Sequence, residues 1–126
     1  MASALRLGRL LAVDDQPDCV DIMAQYFTHA GYEVVGAHNG RDALAMVQLH
    51  QPDVVLLDIR MPGMTGLDVL QQMRLRWSAI PVIMVSGSDD LELAKSSLRR
   101  GAIDYVHKPY DFEILHRCVA AATTHQ

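Results

Sequence analysis

The sequence predicts an α/β fold: a doubly wound, five-stranded parallel sheet with helices on both faces. Two observations predict it. Short apolar runs alternate strictly with longer amphipathic stretches, five of each. The runs Val54-Val55-Leu56-Leu57 and Ile80 to Val85 are apolar throughout, as expected of strands buried on both faces. Strict strand–helix alternation makes successive strands parallel, joined by right-handed crossovers.

The elements follow in order. Leu10-Leu11-Ala12-Val13 is the first strand. From Pro17 to Ala30, Val20, Met23, Ala24 and Phe27 recur at helical spacing; Pro17 suits a first turn and Gly31 the position past the end. Glu33 to Ala37 is the second strand. Asn39 caps a helix over 40–50 that carries Ala43, Leu44, Met46 and Val47, and Pro52 closes it. After the Val54 run, 61–66 (Met-Pro-Gly-Met-Thr-Gly) is a loop. A helix with Leu67, Val69, Leu70, Met73 and Leu75 leads to the fourth strand, and Trp77 is expected to cap the loop between them. Ser88-Asp89-Asp90 caps the next helix, which Arg99-Arg100 and Gly101 end, an order that complements the helix dipole. Ile103 to Val106 is the fifth strand, and Asp111 opens a last helix to about Ala121. Met23, Met46, Met73 and Met84 fall at core spacing and are read as packing.

Composition bounds the function. A chain of 126 residues, half of them hydrophobic, is one domain (1–126, core about 7–121) able to bury a core without staples. A net charge of −4 with 21% charged residues excludes intrinsic disorder. Apolar runs of about half a dozen residues fall far short of the roughly 20 that a bilayer requires, so no membrane role is expected. Arg6 and Arg9, with no long apolar region behind them, do not read as a signal peptide. A pI near 5.8 argues against direct nucleic-acid binding. Six scattered histidines and two cysteines give no zinc-like spacing, and the expected setting is the reducing cytoplasm. Cys19, in the first turn of helix one, and Cys118, two turns into helix five, are offset by roughly 7 Å along the axes. That adds to an interaxial gap of about 8–10 Å, so no disulfide is expected.

In open parallel sheets, ligands bind beyond the carboxyl ends of the strands. There the sequence places Asp14-Asp15 after strand one, Asp58 after strand three, Ser86 after strand four and Lys108 after strand five. Each alone reads as a turn or solvated residue. Together they put three carboxylates, a hydroxyl and an ammonium on one rim. Clustered carboxylates repel one another unless a cation neutralises them. Mg²⁺, which takes oxygen ligands and keeps several waters, fits, with Mn²⁺ as the alternative. A carboxylate nucleophile, a metal, a hydroxyl and a positive charge are the parts that phosphoryl transfer needs.

Val13-Asp14-Asp15, the 57–63 stretch Leu-Asp-Ile-Arg-Met-Pro-Gly, Val85-Ser86-Gly87 and Lys108-Pro109-Tyr110 together resemble the signature segments of the receiver domain of two-component response regulators. The resemblance runs from about Leu7 to Ala121. It implies a flavodoxin-like sheet of order 2-1-3-4-5. It implies that Asp58 is the phosphoacceptor, and that Asp15 binds Mg²⁺ directly, Asp14 largely through water and Arg60 through its backbone carbonyl. Ser86 is then the hydroxyl that bonds the phosphoryl group, Lys108 the ammonium that pairs with the carboxylate and then the phosphate, and Tyr105 the aromatic switch. Lys108-Pro109 is expected to be cis. Gly87 leaves the phosphate open, and Arg60 and Ser88 tune its loss.

The implied donor is a phosphohistidine on a sensor histidine kinase or histidine phosphotransfer protein, and small phosphodonors are implied substitutes. Such a chain catalyses its own phosphorylation and dephosphorylation without being a turnover enzyme. Ser86 moving to the phosphate frees space for Tyr105. The output face is helix four, strand five and helix five, with Glu92, Lys95 and Arg99 exposed. A downstream effector domain or protein, or a homodimer through that face, is the implied partner. A haloacid-dehalogenase-type phosphatase shares these parts but needs a second acid two residues past the nucleophile, where Arg60 stands. A receiver-like module that signals without phosphate is the other alternative, and whether the chain stands alone or belongs to a larger one stays open.

Overall fold

A computed structural model describes residues 7–87 and 91–123. Five strands, β1 (Gly8–Val13), β2 (Tyr32–Ala37), β3 (Val54–Asp58), β4 (Val82–Ser86) and β5 (Asp104–His107), form one sheet of order β2-β1-β3-β4-β5. Every neighbouring pair is parallel. Between them run α1 (Pro17–His29), α2 (Gly40–His50), α3 (Gly66–Arg76) and α4 (Leu91–Arg99), and α5 (Phe112–Thr123) follows β5. The expected fold, flavodoxin-like with helices on both faces, is the one observed.

Side chains alternate across a strand, and the core divides accordingly. Leu11, Val13, Val55, Leu57, Val82 and Met84 pack against Ala43 and Val47 of α2 and Val69, Leu70 and Met73 of α3. Leu10, Ala12, Val54, Leu56, Ile83 and Val85 pack against Val20, Met23 and Phe27 of α1 and Leu115 and Val119 of α5. β3 and β4 are buried along their whole length, whereas β2 and β5, at the sheet edges, are only partly covered.

The caps are local chemistry. The Asn39 side chain accepts from Asp42 N at 2.8 Å. Thr65 and Asp68 form a reciprocal capping box at the start of α3. Gly31, past α1, has φ 111°, a conformation that glycine tolerates.

The structure differs in detail from the sequence reading, and β1 and β2 begin earlier, at Gly8 and Tyr32. β4 starts at Val82, because Pro81 has no N–H for the ladder; its carbonyl accepts from Val55 N. β5 is shifted one residue on, leaving Ile103 half exposed ahead of it. α5 continues past Ala121 to Thr123, whose hydroxyl donates to Val119 O and pairs with the Tyr32 hydroxyl. Leu75 of α3 faces solvent while Val69, Leu70 and Met73 are buried. Trp77 is the C-cap residue of α3, packed against the core with the Arg76 guanidinium 4.4 Å above its ring. The expected cap 88–90 and the end of the chain, 124–126, lie outside the described residues.

Candidate functional site

Parallel pairing brings the carboxyl ends of the strands to one edge. The register pairs Val13 with Leu57, so Asp14 follows β1 beside Asp58, the last residue of β3. Asp58 pairs with Val85, and Ser86 follows as the last residue of β4. Ser86 pairs with His107, and its carbonyl accepts from Lys108 N at 2.7 Å. The turn continues through Lys108-Pro109, a cis peptide as expected.

The side chains converge. One carboxylate oxygen from each of Asp14, Asp15 and Asp58 lies within 4.8 Å of the others. Asp14, Asp58 and Ser86 are buried, and Asp15 is partly exposed. The Lys108 ammonium donates to Asp14 Oδ2 at 2.6 Å and stands 3.6 Å from Asp58 Oδ1. The expected pairing of Lys108 with the acceptor carboxylate is therefore secondary here; its short contact is with Asp14.

Electrostatics mark Asp58 as the frustrated member. Burial, then the negative charge of Asp14, raises its pKa from 3.8 to about 6, although Lys108 pulls the other way. Burial works against the Lys108 charge, but the hydrogen bond to Asp14 and the Asp58 and Asp14 carboxylates outweigh it and raise the Lys108 pKa. A divalent cation would relieve the carboxylate repulsion, and three convergent oxygens fit one.

Around this centre, a Cβ built at Gly87 meets nothing within 4 Å among the described residues. Arg60 is exposed two residues beyond Asp58. Tyr105 is partly buried against the core on β5. Glu92, Lys95 and Arg99 are exposed on α4. Ser88 lies outside the described residues.

Sequence reasoning missed Gln16 and Cys19 as neighbours of the site, and gave Tyr110 only a place in a signature segment. Gln16 N donates to Asp14 Oδ1 at 3.0 Å, fixing that carboxylate. Burial raises the Cys19 thiol pKa, and the charge of Asp14 adds to it. Burial likewise raises the Tyr110 pKa, and the ionised site groups act on it too. The available signal was α1 itself: its first turn must start at the edge where Asp14 ends. Cys118 instead donates to Asp104 Oδ2, at the start of β5.

This fold and this edge define a receiver-type signalling domain. Residues 10–120 match the family model described as the response regulator receiver domain, and the chain belongs to that family, the receivers of two-component signalling. It is 40% identical over 116 residues to "Regulatory protein AtoC" of Escherichia coli K12, covering 92% of this chain and 25% of that protein. It is 36% identical over 121 residues to the "DNA-binding transcriptional regulator NtrC" of Salmonella typhimurium, covering 96% of this chain and 26% of that one. The chain thus spans about a quarter of these relatives. The crystal structure of the receiver domain of NtrX from Brucella abortus superimposes with a TM-score of 0.88 at 33% identity, covering 93% of this chain and 99% of that one.

Proposed function

We propose that this chain, as one receiver domain over 1–126, takes a phosphoryl group from a phosphohistidine onto Asp58 and passes the signal through the α4–β5–α5 face. The observation that carries this reading is the meeting of Asp14, Asp15 and Asp58 within 4.8 Å under the Lys108 ammonium.

Asp14, Asp15, Asp58 and the backbone carbonyl of Arg60 would hold Mg²⁺, or Mn²⁺ in its place. The bound cation supplies charge neutralisation for the phosphoryl oxygens. Asp58 attacks as the carboxylate. Its Oδ–P bond forms as the P–N bond of the phosphohistidine breaks, and the electron pair leaves with an imidazole protonated at its other nitrogen. Lys108, already poised between Asp14 and Asp58, moves to the new phosphate, and the Ser86 hydroxyl bonds another of its oxygens. Gly87 keeps the approach open to donor and water, and Arg60 and Ser88 tune hydrolysis. A phosphate adds close to two negative charges; Ser86 is drawn toward it and Tyr105 turns into the space released.

The donor is a sensor histidine kinase or histidine phosphotransfer protein. The recipient is an effector domain or protein, or a second copy through the α4–β5–α5 face. Among the described residues, no helix is long and apolar enough to cross a membrane. We place the protein in the cytoplasm, with no direct contact to nucleic acid.

Intact-mass spectrometry after incubation with acetyl phosphate tests the reading. Wild type with Mg²⁺ gains one phosphoryl group; Asp58→Asn, or wild type in EDTA, gains none. No adduct on wild type would mean a module that signals without phosphate.

A further inference from the structure

At the edge of the sheet opposite the acidic centre lies a cavity of about 760 Å³. Pro81 before β4, Ile103 before β5, and Ala121 and Ala122 in the last turn of α5 supply an apolar wall. Arg74 of α3, Asp104 at the start of β5 and Cys118 of α5 bring polar groups to it. A mostly apolar recess with a few convergent polar groups is the usual form of a small-molecule site.

Two of these polar groups have capacity to spare. Arg74 Nη1 donates to the carbonyls of Ser78 and Gly101 at 3.3 and 3.5 Å, and Nη2 to that of Ile80. Its Nε is buried and meets no acceptor. The Asp104 carboxylate accepts from its neighbouring amide, Tyr105 N, at 2.8 Å and from the Cys118 thiol at 3.2 Å. Burial, then the bond to Asp104, raises the Cys118 pKa to about 11, so the thiol stays a donor at neutral pH. Among the described residues, no carboxylate pairs with Arg74 and no cation pairs with Asp104. One cavity thus holds a guanidinium and a carboxylate that do not meet.

We infer that this cavity binds a small zwitterion, an α-amino acid with an apolar side chain, whose ammonium meets Asp104 and whose carboxylate meets Arg74. A carboxylate served by an amide and a thiol gains a charge-assisted bond from an ammonium. A guanidinium with an unmet Nε–H gains the same from a carboxylate. An amine alone would set a second positive charge beside Arg74, and an acid alone a second negative charge beside Asp104. A ligand of both signs satisfies both. Its apolar side chain covers Pro81 and Ile103, the latter half exposed without it. The cavity shares no residue with the acidic centre, so the inference does not depend on the reading of Asp58.

Stripping one charge at a time from the ligand supplies the test. Wild type is titrated with alanine, valine, leucine, methionine and phenylalanine, and amide shifts are followed by nuclear magnetic resonance. The tightest of the five is compared with its decarboxylated amine and its deaminated acid. Iodoacetamide labelling of Cys118, read by peptide mass spectrometry, reports occupancy independently. The expected result is a saturable shift at Ile103, Asp104 and Cys118 with at least one amino acid, and labelling of Cys118 slowed at least threefold. The amine and the acid should each bind at least fivefold more weakly. Asp104→Asn should weaken the amino acid by a similar factor, and Ala121→Trp, which fills the cavity from exposed helix surface, should abolish the shifts. No shift with any of the five would overturn the inference, as would equal binding of the amine or the acid, or wild-type affinity in either variant.

Discussion

Asp58 is buried beside Asp14 and within reach of Lys108, and its pKa of about 6 makes its charge a cost to the metal-free fold. Below pH about 4 the carboxyl is protonated whether folded or unfolded, and the cost is absent. As pH rises, the unfolded chain ionises first and the folded state loses stability until about pH 6, where the penalty is complete. A shift of this size corresponds to an order of 2–3 kcal/mol. Asp58→Asn in EDTA is therefore expected to be more stable than wild type at pH 7.5, with the gap closing toward pH 4. Urea unfolding at the two pH values checks it; a gap independent of pH would refute the assignment of the cost to Asp58. At this scale the meeting of Asp14, Asp15 and Asp58 beside Lys108 was legible, because Asp14 and Asp58 each stand where an apolar run stops and parallel pairing brings those ends to one edge. The short Lys108–Asp14 contact was not, because sheet twist and register decide which carboxylate the ammonium reaches first. Cys19 and Tyr110 were hidden for a related reason: their nearness depends on the angle at which α1 and the β5–α5 turn meet the sheet.

The junction between β3 and α3 is the tightest joint of the site. Gly66 N donates to Ile59 O at 2.7 Å, and a Cβ at Gly66 would overlap the Asp58 carbonyl and the Ile59 backbone. Gly66→Ala should cost about 1–3 kcal/mol through this overlap and slow phosphorylation by displacing Asp58. Thr65→Ala removes half of the capping box and should cost about 1 kcal/mol, leaving the phosphorylation rate near that of wild type. Urea midpoints and acetyl phosphate kinetics on the two variants separate these outcomes; equal rates would contradict the positioning role of Gly66. Buried β3 and β4 were legible from unbroken apolar runs, and α2 from its Asn39 cap. The one-residue displacement of β5 was not, since Ile103 and Val106 both suit a strand and only pairing with β4 selects Asp104–His107.

Across the molecule, a single sheet separates two cores, with α1 and α5 on one side and α2 and α3 on the other. The acidic centre sits at the sheet edge where both meet, so a ligand there braces the whole fold. Mg²⁺ at ten times its Kd should add about 1.4 kcal/mol of stability, raising the melting temperature of wild type. Asp15→Asn should lose that increment, a result read by thermal denaturation with and without Mg²⁺; an equal rise in the variant would refute a metal held by this cluster. The strand order and the single edge were legible from alternation and from the family's segments.

Borohydride trapping tests whether Asp58 carries the phosphoryl group. Protein treated with acetyl phosphate and Mg²⁺ is reduced, which converts an aspartyl phosphate to homoserine, and its peptides are sequenced by mass spectrometry. Homoserine at position 58 and nowhere else is the predicted result. Homoserine at 14 or 15, or none at all in protein that binds Mg²⁺, would contradict it.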